Sequence, residues 1–456
     1  MAIIIAGERS GVGKTTVTLA LLAALRQRRQ TVQSFKVGPD YIDPMFHSYV
    51  TGRACRNLDP ILTSEAYVQH CFAKHSQGVE HTLIEGVMGL FDGASGKDDV
   101  GSTAHVARLL DVPVVLILNC SSLSRSVAAI AHGFSTFDSR IKVAGVILNR
   151  VGSDRHLELL SQALEPLNLP ILGVLRRQDD ITLGDRHLGL VPTAELTNLN
   201  ATIERLAYLG ETCFDWEKLL PLLECRFGTT KAEDYNQKPK IRLAIAQDQA
   251  FSFYYADNLD LLTELGAELV AWSPMRDRAV PEGVQGLYFG GGFPEVFAGA
   301  LAESEAIQSV KAAIQAGMPT YAECGGLMYL CEQIVDFAEN SYPMVGIFPT
   351  AAVMGKRLTL GYRQATALQE SPLVKVGDRL WGHEFHRSSL TQLPDKPLLS
   401  LQGYDSRQQF PPEGWQRYQV HASYTHLHFG AQPQLVERFL QCCMGERTLS
   451  GNFVRA

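Results

Sequence analysis

Short apolar runs set apart by longer amphipathic stretches give this chain its rhythm. Met1–Ala6, Thr31–Phe35, Thr82–Glu85, Val112–Asn119, Val143–Arg150 and Ile171–Leu175 each read as strands. The runs from Val112 and Val143 are almost unbroken in apolar residues, the pattern of strands covered on both faces. Helical periodicity, as in Val17–Leu25, fills the spaces between, so the first half predicts a doubly wound βα sheet. Periodicity then stops and charge rises over Arg226–Lys240, which predicts a domain boundary. A strand restarts at Ile241–Ala246; Gly286–Phe289 and Met318–Glu323 follow as strands, and Leu327–Ile334 as a helix. The expected fold class is α/β, with two doubly wound domains at 1–228 and 241–456 joined by a linker at 229–240. No internal repeat or low-complexity tract interrupts the pattern.

Composition narrows the classes. A chain of 456 residues exceeds one ordinary core and suits two or three domains. Apolar residues at 46% and charged residues at 20% fit a soluble globular protein. A net charge of -7 argues against nucleic acid or an anionic membrane as the main partner. The nine cysteines form no C-x-x-C pair, so neither a zinc site nor a disulfide framework is expected. Reduced thiols in the cytoplasm are the simplest reading. The first apolar run is too short for a signal peptide, and no stretch reaches membrane-spanning length.

The first run opens directly onto Gly7-Glu8-Arg9-Ser10-Gly11-Val12-Gly13-Lys14-Thr15-Thr16. Strand, glycine-rich loop, Lys-Thr and helix make a phosphate-binding loop. Glycines such as Gly11 and Gly13 let backbone N–H groups turn toward a polyphosphate, and the helix N-terminus adds partial positive charge. Lys14 would reach the β- and γ-phosphates, with Thr15 on Mg²⁺ and Thr16 beside it. The strict spacing wants glycine where Glu8 stands. A glycine-rich turn with a chance Lys-Thr is the bland reading.

Three further positions face the same crevice if the sheet is parallel. Lys36, Asp40 and Asp43 follow the second strand, where a basic group beside carboxylates can hold an anionic substrate and a metal. A surface loop with solvated charges fits that spacing too. Glu85 closes its strand as a candidate Mg²⁺ ligand, or else as a cap for the following turn. Asn149 closes its strand where a side-chain amide could pair with adenine, or simply form a turn.

The second half carries different chemistry. The strand Gly286–Phe289 opens onto three glycines, Gly290 to Gly292, able to present N–H groups as an oxyanion hole. Cys324, followed by Gly325 and Gly326, sits between a strand and a helical pattern. Such an elbow exposes sulfur at a helix N-terminus, which is expected to lower its pKa toward thiolate. The oxyanion candidates are Gly291, Gly292 and Gly325. His426 is the candidate base, with His428 two positions on as the group to orient it. A metal-binding histidine pair is the other reading, without a second ligand cluster nearby in sequence.

The Gly7–Thr16 loop resembles that of dethiobiotin synthetase and its relatives, which use ATP to activate carboxylates. The second half resembles class I glutamine amidotransferases, whose elbow reads G-x-C-x-G; here Ala322 replaces the first glycine, a style of the cobyric and cobyrinic acid branch. Most class I members carry glutamate two residues after the base, where this chain has His428. With Phe35–Pro44, Ala250–Asn258, Ala322–Gly326 and Gly382–His386, nearly the whole chain is similar to the cobyrinic acid a,c-diamide synthase family. That resemblance implies a carbon–nitrogen ligase of cobalamin biosynthesis. It would amidate the a and c acetate carboxylates of cobyrinic acid through acyl phosphates, with ATP, Mg²⁺ and glutamine. It also implies that Lys36, Asp40 and Tyr41 face the substrate and that Thr15, Asp40 and Glu85 hold the metal. Hydrogenobyrinic acid or nickel sirohydrochlorin is the alternative substrate, and a homo-oligomer is compatible with the sequence. A partition-type switch ATPase lacks a cysteine elbow, and intact Cys324 and His426 argue against a dead glutaminase module.

Overall fold

The computed structural model describes residues 2–177, 185–186, 189–196, 198–224, 241–405 and 407–445. The chain divides into two compact units, Met1–Ala232 and Glu233–Ala456. The linker expected at 229–240 lies outside the described residues.

The first unit is built on strands β1 (Ile3–Gly7), β2 (Val32–Val37), β3 (Arg56–Leu58), β4 (His81–Glu85), β5 (Val114–Asn119), β6 (Val143–Val151) and β7 (Ile171–Arg176). Their order is β3-β2-β4-β1-β5-β6-β7, and neighbours are parallel throughout. Every residue of β1, β2, β4 and β5 is buried, the consequence of helices on both faces. Helix α1 (Lys14–Gln27) is buried from Val17 to Leu25. The helix Leu199–Thr212 lies across it, so close at Gly210 that a methyl there would come within 2.2 Å of the Ala20 carbonyl oxygen. A helix covered on two sides has no polar face, which is why this one reads as an apolar block. Strand β1 sits between β4 and β5, where the winding changes direction, and the carboxyl ends of β1, β2 and β4 meet there. A two-residue antiparallel pair, β8 (Asp185–Arg186) and β9 (Gly189–Leu190), follows.

The second unit has a main sheet of β10 (Ile241–Ala246), β11 (Ala267–Trp272), β12 (Gly286–Phe289), β13 (Thr320–Glu323) and, later in the chain, β20 (Trp415–Arg417) and β21 (Val420–Ser423). The order is β11-β10-β12-β13-β21-β20, parallel except for the last pair. A second, largely antiparallel sheet grows from the stretch between β13 and β20. It comprises β14 (Cys331–Val335), β15 (Ser341–Pro343), β16 (Phe348–Ala367), β17 (Arg379–Leu390), β18 (Leu399–Gly403), β19 (Gln409–Glu413) and finally β22 (His426–Leu427). The helix expected over Leu327–Ile334 is instead Gly325–Leu330, and the chain turns into β14 at Cys331. The chain leaves the main sheet at Ser423 and enters the second at His426, so His426 stands where the two sheets meet. Among the described residues no helix is long and apolar enough to cross a membrane.

Candidate active sites

In the first unit the loop after Gly7 turns through Gly11 and Gly13, at φ 75° and 99°. Both lie in the left-handed region that a side chain disfavours. Gly13 is also the last residue before α1, and a methyl on it would lie 2.4 Å from Asn149 Nδ2. That contact explains Asn149. Its Nδ2 donates to the Val12 carbonyl at 2.8 Å, and its Oδ1 accepts from Arg150 N at 2.8 Å. Both ends of the amide engage backbone, so Asn149 braces the loop, and base reading would compete with those bonds. Lys14 Nζ donates to the carbonyls of Met88 and, at 3.3 Å, of Arg9. Burial and the neighbouring Lys36 ammonium push Lys14 down to about 8. Thr16 occupies the same first turn of α1.

Below the loop lies a buried nest of charge. Thr15 Oγ1 donates to Glu85 Oε1 at 2.7 Å and to Asp43 Oδ2 at 3.3 Å. Lys36 Nζ donates to Asp43 Oδ2 at 2.6 Å, Glu85 Oε1 at 2.9 Å and the Gly86 carbonyl at 3.2 Å. Despite its burial, Lys36 is held charged by Asp43, Glu85 and Asp40. Burial and the Asp40 carboxylate push Asp43 up; Glu85, although buried, is held down by Lys36, His47 and Thr15. The structure thus seats Asp43, rather than Asp40, against Thr15. Asp40 Oδ1 accepts from the backbone of Ile42 and Asp43 at 2.9 and 3.1 Å, at the start of α2 (Ile42–Thr51), while its Oδ2 stays 4.0 Å from Lys36. Tyr41 is buried beside them. Lys36, expected to face substrate, is spent on the protein's own carboxylates.

Sequence reasoning missed His47. Its Nε2 lies 2.7 Å from Glu85 Oε2, and its Nδ1 lies 3.4 Å from Cys55 Sγ. Burial opposes its charge, but the Cys55 sulfur and Glu85 push it up to about 10. The signal was available: Asp43 and His47 stand four residues apart on one face of a helix.

In the second unit β13 delivers Cys324 at φ 49° and ψ -100°, a strained elbow, with its N–H donating to the Ser423 carbonyl at 2.8 Å. The glycine loop after β12 is tied down by Tyr254, whose hydroxyl accepts from Gly290 N at 2.8 Å and donates to the Ala246 carbonyl. Ser252 N and Phe253 N donate to the Gly291 carbonyl at 3.1 and 3.0 Å. A methyl on Gly291 would lie 2.5 Å from His426 Cε1, and one on Gly325 would lie 3.1 Å from Gly292 N. Gly291, Gly292, Gly325, Cys324 and His426 therefore converge on one place, and each glycine leaves room that a side chain would fill.

The electrostatics depart from expectation. Burial, together with the carboxylates of Glu295 and Glu323, pushes the Cys324 thiol well above its ordinary range. The short helix behind it does not lower it to thiolate. Burial, with His383 and His386 nearby, pushes His426 down to about 3. The resting pair is a neutral thiol and a neutral imidazole.

His428 engages the turn that follows it. Its Nδ1 accepts from Gly430 N at 3.2 Å, capping the turn Phe429–Ala431, and its ring packs 4.8 Å from that of Tyr255. Glu323 Oε2, from the residue before the nucleophile, lies 3.9 Å from His426 Nδ1. The strand Gly382–His386 borders the same place: His383 pairs with His426 across β17 and β22, and the His386 ring stacks on Tyr424 at 3.9 Å.

Residues 3–191 match the family model described as a CobQ/CobB/MinD/ParA nucleotide binding domain. Residues 242–434 match that of a CobB/CobQ-like glutamine amidotransferase domain. The chain is similar to a cobyrinate a,c-diamide synthase of Synechococcus sp., 61% identical over 99% of this chain and 100% of that protein. It is similar to one of Synechocystis sp., 54% identical over 97% of this chain and 94% of that protein. It is also similar to a hydrogenobyrinate a,c-diamide synthase of Streptomyces coelicolor, 40% identical over 97% of each.

Proposed function

Because this chain belongs to the cobyrinate a,c-diamide synthase family, we propose that it amidates the a and c acetate carboxylates of cobyrinate, using ATP and glutamine. Residues 1–228 form the synthetase part and 241–456 the glutaminase part of a cytoplasmic enzyme of cobalamin biosynthesis. The observation that carries this reading is a chain with both halves of the chemistry intact: a phosphate loop over the Thr15–Asp43–Glu85 nest, and one glycine loop that borders His426 at Gly291 and, at Gly292, the Gly325 that follows Cys324.

The chemistry follows from leaving groups. Hydroxide leaves a carboxylate too poorly for ammonia to displace it, whereas phosphate leaves an acyl phosphate readily. Gly11, Gly13 and Lys14 hold the polyphosphate, and Lys14 meets the charge that develops on the transferred phosphoryl group. The hydroxyl of Thr15 and the carboxylates of Asp43 and Glu85 are hard oxygen donors that fit Mg²⁺, with Asp40 at the rim. Mg²⁺ supplies charge neutralisation there when bound. Lys36 keeps the nest from repelling itself, and His47 holds Glu85 in place. In the second unit Cys324 Sγ attacks the glutamine amide carbon as His426 takes its proton, and His426 returns that proton to the leaving ammonia. Gly291, Gly292 and Gly325 line the oxyanion position.

Incubation with ATP, Mg²⁺, glutamine and cobyrinate, followed by corrinoid mass, tests the reading. Replacement of OH by NH2 at two carboxylates, each with one ADP and one glutamate formed, is expected. Cys324→Ala should fail with glutamine and work with added ammonia. Absence of ATP-dependent amidation of any corrinoid would sink the proposal. The Streptomyces coelicolor relative favours hydrogenobyrinate as the second substrate to try.

A further inference from the structure

The carboxylate of Glu323 ties the strand that ends at the nucleophile to the strand that carries the base. Its Oε1 accepts from the Tyr288 hydroxyl at 2.9 Å. Its Oε2 accepts from the Tyr321 hydroxyl at 2.8 Å and from Leu427 N at 3.2 Å. The same oxygen stands 3.9 Å from His426 Nδ1, with both side chains 1% exposed. A buried carboxylate next to one ring nitrogen leaves the other nitrogen to work on the thiol. His428, the alternative from spacing, already uses its Nδ1 to accept from Gly430.

The geometry points to Glu323 as the positioning residue of the glutaminase site, holding the proton of neutral His426 on Nδ1 and stabilising the imidazolium formed when Nε2 takes the Cys324 proton. This rests on the glutamine-hydrolysing reading above. As sulfur bonds to the amide carbon, its proton passes to Nε2 and the new positive charge faces Glu323. When ammonia leaves, Nε2 returns that proton and the charge disappears. Separations of this kind tighten in substrate complexes. Three donors to one buried carboxylate favour its anion, while burial pushes it up to about 7. An imidazolium at that distance favours the anion further. A carboxylate present only to knit the strands would need no such neighbour.

Two roles predict opposite signs for Glu323→Gln. A carboxylate that merely repels the thiolate would slow iodoacetamide labelling of Cys324, so its removal would speed labelling. A carboxylate that supports the imidazolium speeds labelling, so its removal slows it. The expected result is slower labelling, with kcat for glutamine hydrolysis down about 100-fold and KM nearly unchanged. Glu323→Asp should recover part of the loss. If the Gln variant does not fold, Tyr288→Phe and Tyr321→Phe serve instead. Each removes one donor, makes Glu323 easier to protonate, and should move the acid limb of the glutaminase pH profile upward. Faster labelling, an unchanged kcat, or an unmoved acid limb in both tyrosine variants overturns the inference. Wild-type protein that releases no glutamate from glutamine counts against the glutaminase reading itself.

Discussion

Lys36 and Glu85 form an ion pair shielded from solvent, Nζ to Oε1 2.9 Å, with side chains 4% and 0% exposed. Asp43 shares the same ammonium at 2.6 Å. One cation therefore holds a buried carboxylate and a half-buried one beneath the phosphate loop. Lys36→Met would leave Asp43 without its cation and Glu85 with His47 alone. Breaking a buried pair from one side costs about 3–5 kcal/mol, so urea unfolding of the first unit should weaken by that order. Ammonia-driven, ATP-dependent amidation should be lost with it. Full stability in Lys36→Met would mean the nest relaxes by taking up protons.

Asn149 gives a test of loop bracing against base reading. Asn149→Ala removes the bond to the Val12 carbonyl, worth about 1 kcal/mol. The KM for ATP should rise several-fold through a looser loop, with the preference for ATP over GTP intact. Loss of that preference would return Asn149 to the base.

Much of this was legible in the sequence because the signals are local. A strand of Val-Val-Leu-Ile-Leu-Asn, a glycine loop and a Cys-Gly-Gly elbow each declare themselves within ten residues. The antiparallel sheet of β14 to β19 did not, because its pairing is set by partners far apart in the chain: Leu360 opposes Phe385, and Ala365 opposes Leu401. β16 also alternates irregularly between buried and half-exposed positions, which blurs the period of two. The same distance hid the supporting residues. Glu323 meets His426 only because β13 lies beside the crossing from β21 to β22. His47 meets Glu85 only because α2 follows β2 at the end of the sheet where β4 also finishes. The expected thiolate failed for another reason: periodicity says where a cysteine stands, not how deeply it is buried or which carboxylates approach it.

The resting thiol makes a prediction with a definite sign. An unperturbed cysteine titrates near roughly 8.5. Burial, Glu295 and Glu323 push Cys324 above that, so the neutral thiol dominates at pH 7. Iodoacetamide inactivation without substrate should be slow at neutral pH and climb with pH through about 9. A plateau reached below neutrality would show a preformed thiolate–imidazolium pair instead.

The second unit should also fail in acid with a break in slope. His383, His421 and His426 are each pushed down to about 3 by burial. A histidine kept neutral in the fold contributes stability that is present above its unfolded pKa, near 6.5, and is lost as pH falls. Glu323 and Glu413 run the other way. Burial pushes both up to about 7, so their contribution is fully present below the unfolded carboxyl pKa and is lost as pH rises through that folded value. Between roughly pH 4.5 and 6.5 the two groups oppose each other, three protons favouring the unfolded chain against two favouring the fold. Below about 4.5 Glu323 and Glu413 are protonated in both states and no longer oppose the histidines, so the slope should steepen about threefold. Glu384, held low by His386 and Arg363 despite its burial, adds in the same direction. Urea midpoints across that range, followed by tryptophan fluorescence in a Trp216→Phe protein, report the second unit alone. His421 accepts or donates a single bond, to Ser371 Oγ at 2.8 Å, so His421→Gln should remove about one third of the acid slope. A midpoint that declines evenly from pH 6.5 to 3.5 would mean that Glu323 and Glu413 are not protonated in the fold, and one that does not decline at all would mean that these imidazoles already are.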